Sequence, residues 1–270
     1  MRTTATAPPA VGLAVFAALT LTVATAHAQH EHHHMDAPPA GAADAAEPTA
    51  FQVDLSLVGA TFDQMLYEGD YAGVGVGASW RYDRLSVHAA VRAYHLTRNG
   101  AAVDGIGDVT AGVDVLAYQR GTWSAGAGVS ATLPTGEQYK GLGMGHPMLM
   151  PAAWAGRDDG RTMLGVSLGW CGAIGGGGTA HDHGPWPIVE PMSESELMGG
   201  VHLDRVIRGP FHAGVGVLAA LPLHTDPTRV VAAIGGGWRH PRAETGVELQ
   251  AGLAGDPFTV RGLVTSSLRF

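Results

Sequence analysis

The sequence predicts an all-β chain that closes into a single transmembrane antiparallel up-and-down β-barrel of about twelve strands, preceded by a disordered periplasmic tail. Three observations predict it. From Phe51 to the C-terminus, apolar and polar residues alternate with a period of two. Short and long connections alternate between the periodic segments. Aromatic residues gather beside the short connections, as the interfacial girdle of a membrane barrel does.

The N-terminal residues come first. Arg2, an apolar stretch from Val11 to Val23, and Ala26-His27-Ala28 form the pattern of a secretory signal peptide, expected over residues 1–28. Its apolar core is too short for a comfortable helical span. Gln29 would open the mature chain. A lipoprotein would need cysteine there, and the single cysteine is Cys171. Residues 29–50 hold a histidine cluster followed by a Pro/Ala-rich run without apolar periodicity, the composition of a flexible tail.

Residues 51–270 are expected to form the barrel. Adjacent side chains of a strand point to opposite sides, so each crossing strand needs one apolar and one polar face. In the last segment Phe258, Val260, Gly262, Val264, Ser266, Leu268 and Phe270 share a face opposite Thr259, Arg261, Leu263, Thr265, Ser267 and Arg269. Ala243, Thr245, Val247, Leu249, Ala251 and Leu253 likewise oppose Arg242, Glu244, Glu248 and Gln250. The same reading places strands near 51–62, 71–82, 84–96, 106–118, 122–134, 146–157, 161–174, 194–206, 209–222, 228–240, 242–254 and 258–270. The sixth is the weakest because Pro147 and Pro151 lie inside it.

Asp83, Gln119–Gly121, Asp158–Gly160, Ile207-Arg208 and Pro241 mark short turns. Longer loops are expected at Asp63–Asp70, Thr97–Gly105, Thr135–Gly145, Gly175–Ser193 and Leu223–Pro227, with Gly255-Asp256-Pro257 the exception, a tight connection on the loop side. Trp80, Tyr82, Tyr118, Trp123, Trp154, Phe211 and Trp238 lie near the short turns, with Phe51 and Phe270 at the chain ends. Tyr71, Trp170 and Phe258 would mark the opposite girdle.

A helical membrane protein is excluded because no second long apolar run exists. A net charge of −8 without basic clusters argues against nucleic acid as a partner. A soluble lipocalin-like barrel would need its apolar face inside; here the glycine-rich, charged face would have to be the core.

Gly105-Ile106-Gly107-Asp108 opens one strand and Leu133-Pro134-Thr135-Gly136-Glu137 closes the next. With these two motifs the chain resembles the transporter barrels linked to meta-pathway phenol degradation. The resemblance implies a barrel that passes small or hydrophobic molecules, and it carries over no catalytic residue. Phe270 resembles the C-terminal signal read by the barrel-assembly machinery. The expected setting is therefore the bacterial outer membrane after Sec-type export, with both termini periplasmic.

Site candidates fall into three groups. His30, His32, His33, His34 and Met35 on the tail, and His181 and His183 in the longest loop, are candidate metal ligands. No cofactor is required, but imidazoles on a flexible segment would take Cu(II), Ni(II) or Zn(II). Met144, His146, Met148 and Met150 offer a thioether–imidazole mix suited to copper, although Met148 and Met150 share a parity expected to face lipid. Lumen candidates by parity are Asp54, Arg81, His88, Arg92, Asp108, Asp114, His202, Asp204, His212, Glu244, Glu248 and Arg261. Twelve strands about 4.8 Å apart and tilted about 40° give a backbone radius of roughly 12 Å, room for a passage or for an inserted loop.

An enzyme is not expected. Gly165-Val166-Ser167-Leu168-Gly169 matches the nucleophile-elbow pattern, but that motif requires a strand–turn–helix corner and here runs through an alternating segment. Two functional readings remain: a channel or transport component for small-molecule or metal-ion solutes, linked to copper handling through the tail, or a metal-binding envelope protein in which the barrel is only an anchor in outer-membrane lipid.

Overall fold

A computed structural model describes residues 49–64, 67–175, 189, 192–224 and 226–270. The expected signal peptide, the tail ligands His30 to Met35, and His181 and His183 lie outside the described residues.

Thirteen strand segments among the described residues make one closed antiparallel barrel. They are β1 (Thr49–Gln64), β2 (Tyr67–Tyr82), β3 (Leu85–Arg98), β4 (Ala101–Ile106), β5 (Val109–Arg120), β6 (Trp123–Leu133), β7 (Met148–Asp158), β8 (Thr162–Ala173), β9 (Ser195–Arg208), β10 (Phe211–Pro222), β11 (Arg229–His240), β12 (Ala243–Ala254) and β13 (Val260–Arg269). The short β4 and β5 both pair with β3, one above the other, so they act as two halves of a single stave and the barrel has twelve. Closure runs between β1 and β13, from Gln52↔Arg269 to Thr61↔Val260. Phe51 and Phe270 extend it by exchanging backbone hydrogen bonds of 3.3 and 2.8 Å.

Alternation sorts the wall. Leu55, Val76, Val115, Leu168, Ile234 and Val247 are exposed and point outward, while the intervening residues point inward. The two sheet edges have joined, so no row of unpaired backbone groups remains along the seam.

Two expected long loops are strand instead. β1 and β2 continue almost to their junction, pairing as far as Gln64↔Tyr67. The stretch from Thr97 to Gly105 is a hairpin whose turn is Asn99-Gly100, with φ of 48° and 81°. Positive φ at both central residues is the type I′ condition, and Asn-Gly is its preferred pair. This side of the wall is therefore taller than the rest. Pro151 is accommodated in β7: its pairing with β6 continues through Val129↔Pro151, while the ladder to β8 lapses between Leu149↔Gly172 and Ala152↔Gly169. Proline has no amide hydrogen to give that ladder.

Several aromatic expectations are corrected. Tyr71 and Phe258 do not face lipid; both are buried inside with Val58, Phe62, Tyr94 and Leu263. Trp154 pairs with Gly126 on the inward face, and a Cβ at Gly126 would run into its indole. Trp80, Tyr82, Tyr118, Trp123 and Phe211 are exposed near the short turns, as are Phe51 and Phe270 at the seam.

Candidate functional site

The two ends of the lumen differ. At the short-turn end the inward face carries hydrogen-bonded charge. Asp54 accepts from Ser267 Oγ (2.6 Å) and Gln52 Nε2 (2.8 Å). Gln52 in turn accepts from Arg269 Nε at 3.0 Å. Glu244, almost fully buried, receives Arg239 Nε, Arg269 Nη2 (3.2 Å) and, at 4.0 Å, His212 Nε2. His212 Nδ1 also lies 3.5 Å from Asp204, and His88 Nδ1 lies 3.3 Å from Asp114. Farther along, Arg92 Nε reaches Ser56 Oγ at 3.5 Å, Gln250 donates to Glu248 (2.7 Å), and Arg261 donates to Gln250 (3.1 Å). Arg81 pairs with Ala50 and Ser86 across β1 and β3, and His202 pairs with Gly165 and Gly216 across β8 and β10. Eleven of the twelve lumen candidates thus sit on inward strand positions. Small inward residues opposite them leave space for these long side chains: a Cβ at Gly128 or Gly214 would overlap Asp114 or Asp204.

Asp108, the twelfth, has a different place. It is buried at the break between β4 and β5 and holds a loop. Its Oδ1 accepts the Gly136 amide and its Oδ2 the Met144 amide, both at 2.8 Å. Thr135 Oγ1 donates to Gly107 O (3.2 Å) and accepts the Val109 amide (2.9 Å). The two sequence motifs therefore meet: the Gly-Asp corner of one clasps the Thr-Gly corner of the other. Close approach requires glycine here, since a Cβ on Gly107 would lie 2.7 Å from the Tyr94 ring.

The clasp turns residues 134–147 inward. A 3-10 turn, Gln138–Lys140, leads into Gly141 in the left-handed region, and the following residues are buried. Leu142 enters the apolar cluster with Tyr71, Tyr94, Leu96 and Val189. Two residues on, Met144 joins Met148, Met150, Cys171, Met192 and Met198 on the wall formed by β7, β8 and β9. One loop thus bridges two inward clusters and narrows the lumen at its long-loop end.

Met148 and Met150 were expected to face lipid and do not: they are 0% and 4% exposed and point inward. The two share a parity, as expected, but it is the inward one, and the apolar loop against them lets that face be apolar.

No known family model matches the sequence, and no curated protein matches it. In three dimensions the chain is similar to an outer-membrane channel from Pseudomonas putida F1, with a TM-score of 0.65 at 11% identity, covering 84% of this chain and 97% of that one. The likeness is one of fold, a closed antiparallel β-barrel of the kind found in the outer membrane. It is also similar to the KdgM porin, solved with disordered oligogalacturonate, with a TM-score of 0.51 at 8% identity, covering 81% of this chain and 99% of the porin.

Proposed function

We propose that the chain is an outer-membrane channel for small solutes, with its passage lined by charge at the short-turn end and restricted at the other end by residues 134–147. The observation that carries this reading is the sorting of the wall: a continuous apolar exterior around an interior of paired charges and glycines. An apolar exterior is stable only against lipid, and a polar interior only against water or a polar cargo. The similarity to channel barrels supports the reading at the level of fold. In this reading both termini are periplasmic, Phe270 is presented to the barrel-assembly machinery, and the tail bearing His30–His34 and Met35 gathers Cu(II), Ni(II) or Zn(II) beneath the barrel.

The test is reconstitution. The protein should fractionate with membranes, migrate differently on gels before and after heating, and give discrete conductance steps in planar bilayers. Solubility without detergent would refute it.

The packed long-loop end favours a second reading, in which the barrel is an anchor for the metal-binding tail. Replacing His30, His32, His33 and His34 with alanine separates the two. Loss of metal tolerance from a barrel that never conducts supports the anchor.

A further inference from the structure

We infer that the sulfur cluster inside the long-loop end is a binding site for a soft monovalent cation, Cu(I) or Ag(I). Five of the chain's nine methionines and its only cysteine pack in one buried cluster there: Met144, Met148, Met150, Met192, Met198 and Cys171. They come from both long loops and from β7, β8 and β9, so the grouping is produced by the fold and not by a local repeat. Packing alone would be met as well by leucine, which fills a core with fewer conformers. Thioether and thiolate sulfur are the ligands that select Cu(I) over harder ions.

The geometry is compatible with coordination. Cys171 Sγ and Met192 Sδ are 3.7 Å apart. Two sulfurs each about 2.3 Å from one tetrahedral d10 ion would be about 3.8 Å apart. That is also close to sulfur van der Waals contact, so the cluster can close on an ion with little movement. The wall is locally unpinned at the same level, because the β7–β8 ladder lapses at Met150-Pro151, across from Trp170-Cys171. Asp108 fixes one contributor directly by accepting the Met144 amide at 2.8 Å.

Charge selects the valence. Glu196 stands opposite Cys171 in the β8–β9 register and is fully buried, but it is bound by Arg229 at 2.5 Å. The thioethers and this balanced pair are neutral, and Cys171 releases its one proton to solvent on binding, so the site supplies a single negative charge, enough to offset a monovalent ion but not a divalent one in a buried place. A monovalent ion held by polarisable sulfur has the smaller desolvation cost. Its ligands are sulfur, whereas those of the tail are imidazole, so the two would take different ions.

The test uses the full chain in detergent under reducing conditions, carrying alanine at His30, His32, His33 and His34 so that the tail contributes nothing. Titration with Cu(I) against a chromophoric chelator should give one retained equivalent per barrel, and X-ray absorption should show copper surrounded by sulfur. Met148→Leu/Met150→Leu/Met192→Leu should lose that equivalent while keeping heat-modifiable migration. If the triple variant does not fold, Met192→Leu alone, on a loop, should still weaken retention and lower the number of sulfurs around the copper. No retained equivalent, scattering from nitrogen or oxygen only, or unchanged retention in the leucine variants would overturn the site. Conductance is read separately: a barrel that conducts and takes no Cu(I) refutes the site alone, and one that takes Cu(I) without conducting refutes the channel alone.

Discussion

Asp108→Ala should open the long-loop end. The carboxylate accepts two backbone amides of the inward loop, from Gly136 and Met144, each at 2.8 Å, and it is 7% exposed. A hydrogen bond to a charged group contributes about 1.5–3 kcal/mol, so the pair is worth about 3–6 kcal/mol if the two add. The lower figure is the safer one, because a released loop regains water for its amides. A loss of about 3 kcal/mol shifts the ratio of released to docked loop about 100-fold. Two measurements follow. Hydrogen exchange at the Gly136 and Met144 amides should accelerate by about that factor, and single-channel records should show a larger or more often open conductance. Asp108→Asn, which keeps one acceptor oxygen and loses the charge, should fall between. A folded, heat-modifiable Asp108→Ala barrel with unchanged exchange at both amides would refute the clasp, whatever its conductance.

Three further outcomes are expected. Glu244→Gln removes the one carboxylate shared by Arg239 and Arg269; Glu244 is 2% exposed, but the arginines keep 27% and 23%. The loss should therefore be about 2 kcal/mol, short of the roughly 3–5 kcal/mol for a fully buried pair, and is read as a lower urea midpoint. Gly107→Ala places a Cβ 2.7 Å from the Tyr94 ring, and overpacking of this kind costs about 1–3 kcal/mol; a variant as stable as the parent, with exchange at Val109 unchanged, would count against the close approach. In the turn between β7 and β8, Asp159 accepts the Thr162 amide (2.8 Å) and the Arg161 amide (3.0 Å). These donors, Thr162 foremost, hold its carboxyl below the ordinary 3.8. A depressed carboxyl stabilises the fold above its unfolded pKa and loses that contribution as pH falls through the folded one. Its NMR titration midpoint should therefore lie below 3.8 and return toward that value when Thr162 is replaced by proline.

The staves were legible because lipid imposes a rule on every second residue. From Ala243 to Leu253 and from Val260 to Leu268 the outward positions are largely apolar and the inward ones largely polar, so local order alone finds the strand and its faces. Asn99-Gly100 was equally legible in principle. Asn-Gly between periodic segments signals a two-residue turn, and reading Thr97–Gly105 as a loop let its length outweigh its chemistry.

The long-loop end was not legible, for a different reason. Alternation distinguishes two faces but does not say which is inside. That assignment assumes that the inside is wet, and it fails where the chain itself fills the lumen. Met148, Met150, Tyr71 and Phe258 are apolar and inward because Leu142, Met144, Val189 and Met192 arrive from loops to cover them. The two motifs that place the first of those loops are in the sequence, but Asp108 and Gly136 are 28 residues apart and their bond has no periodic signature. A glycine–aspartate corner and a threonine–glycine corner, each at a strand end, do predict something physical in combination. The aspartate supplies an acceptor where the ladder breaks, and the glycine lets a backbone amide come close enough to use it. Where two such corners bracket one hairpin of a barrel, the loop after the second is the one to expect inside, and the residues it covers should be assigned to the lumen before their parity is read as lipid-facing.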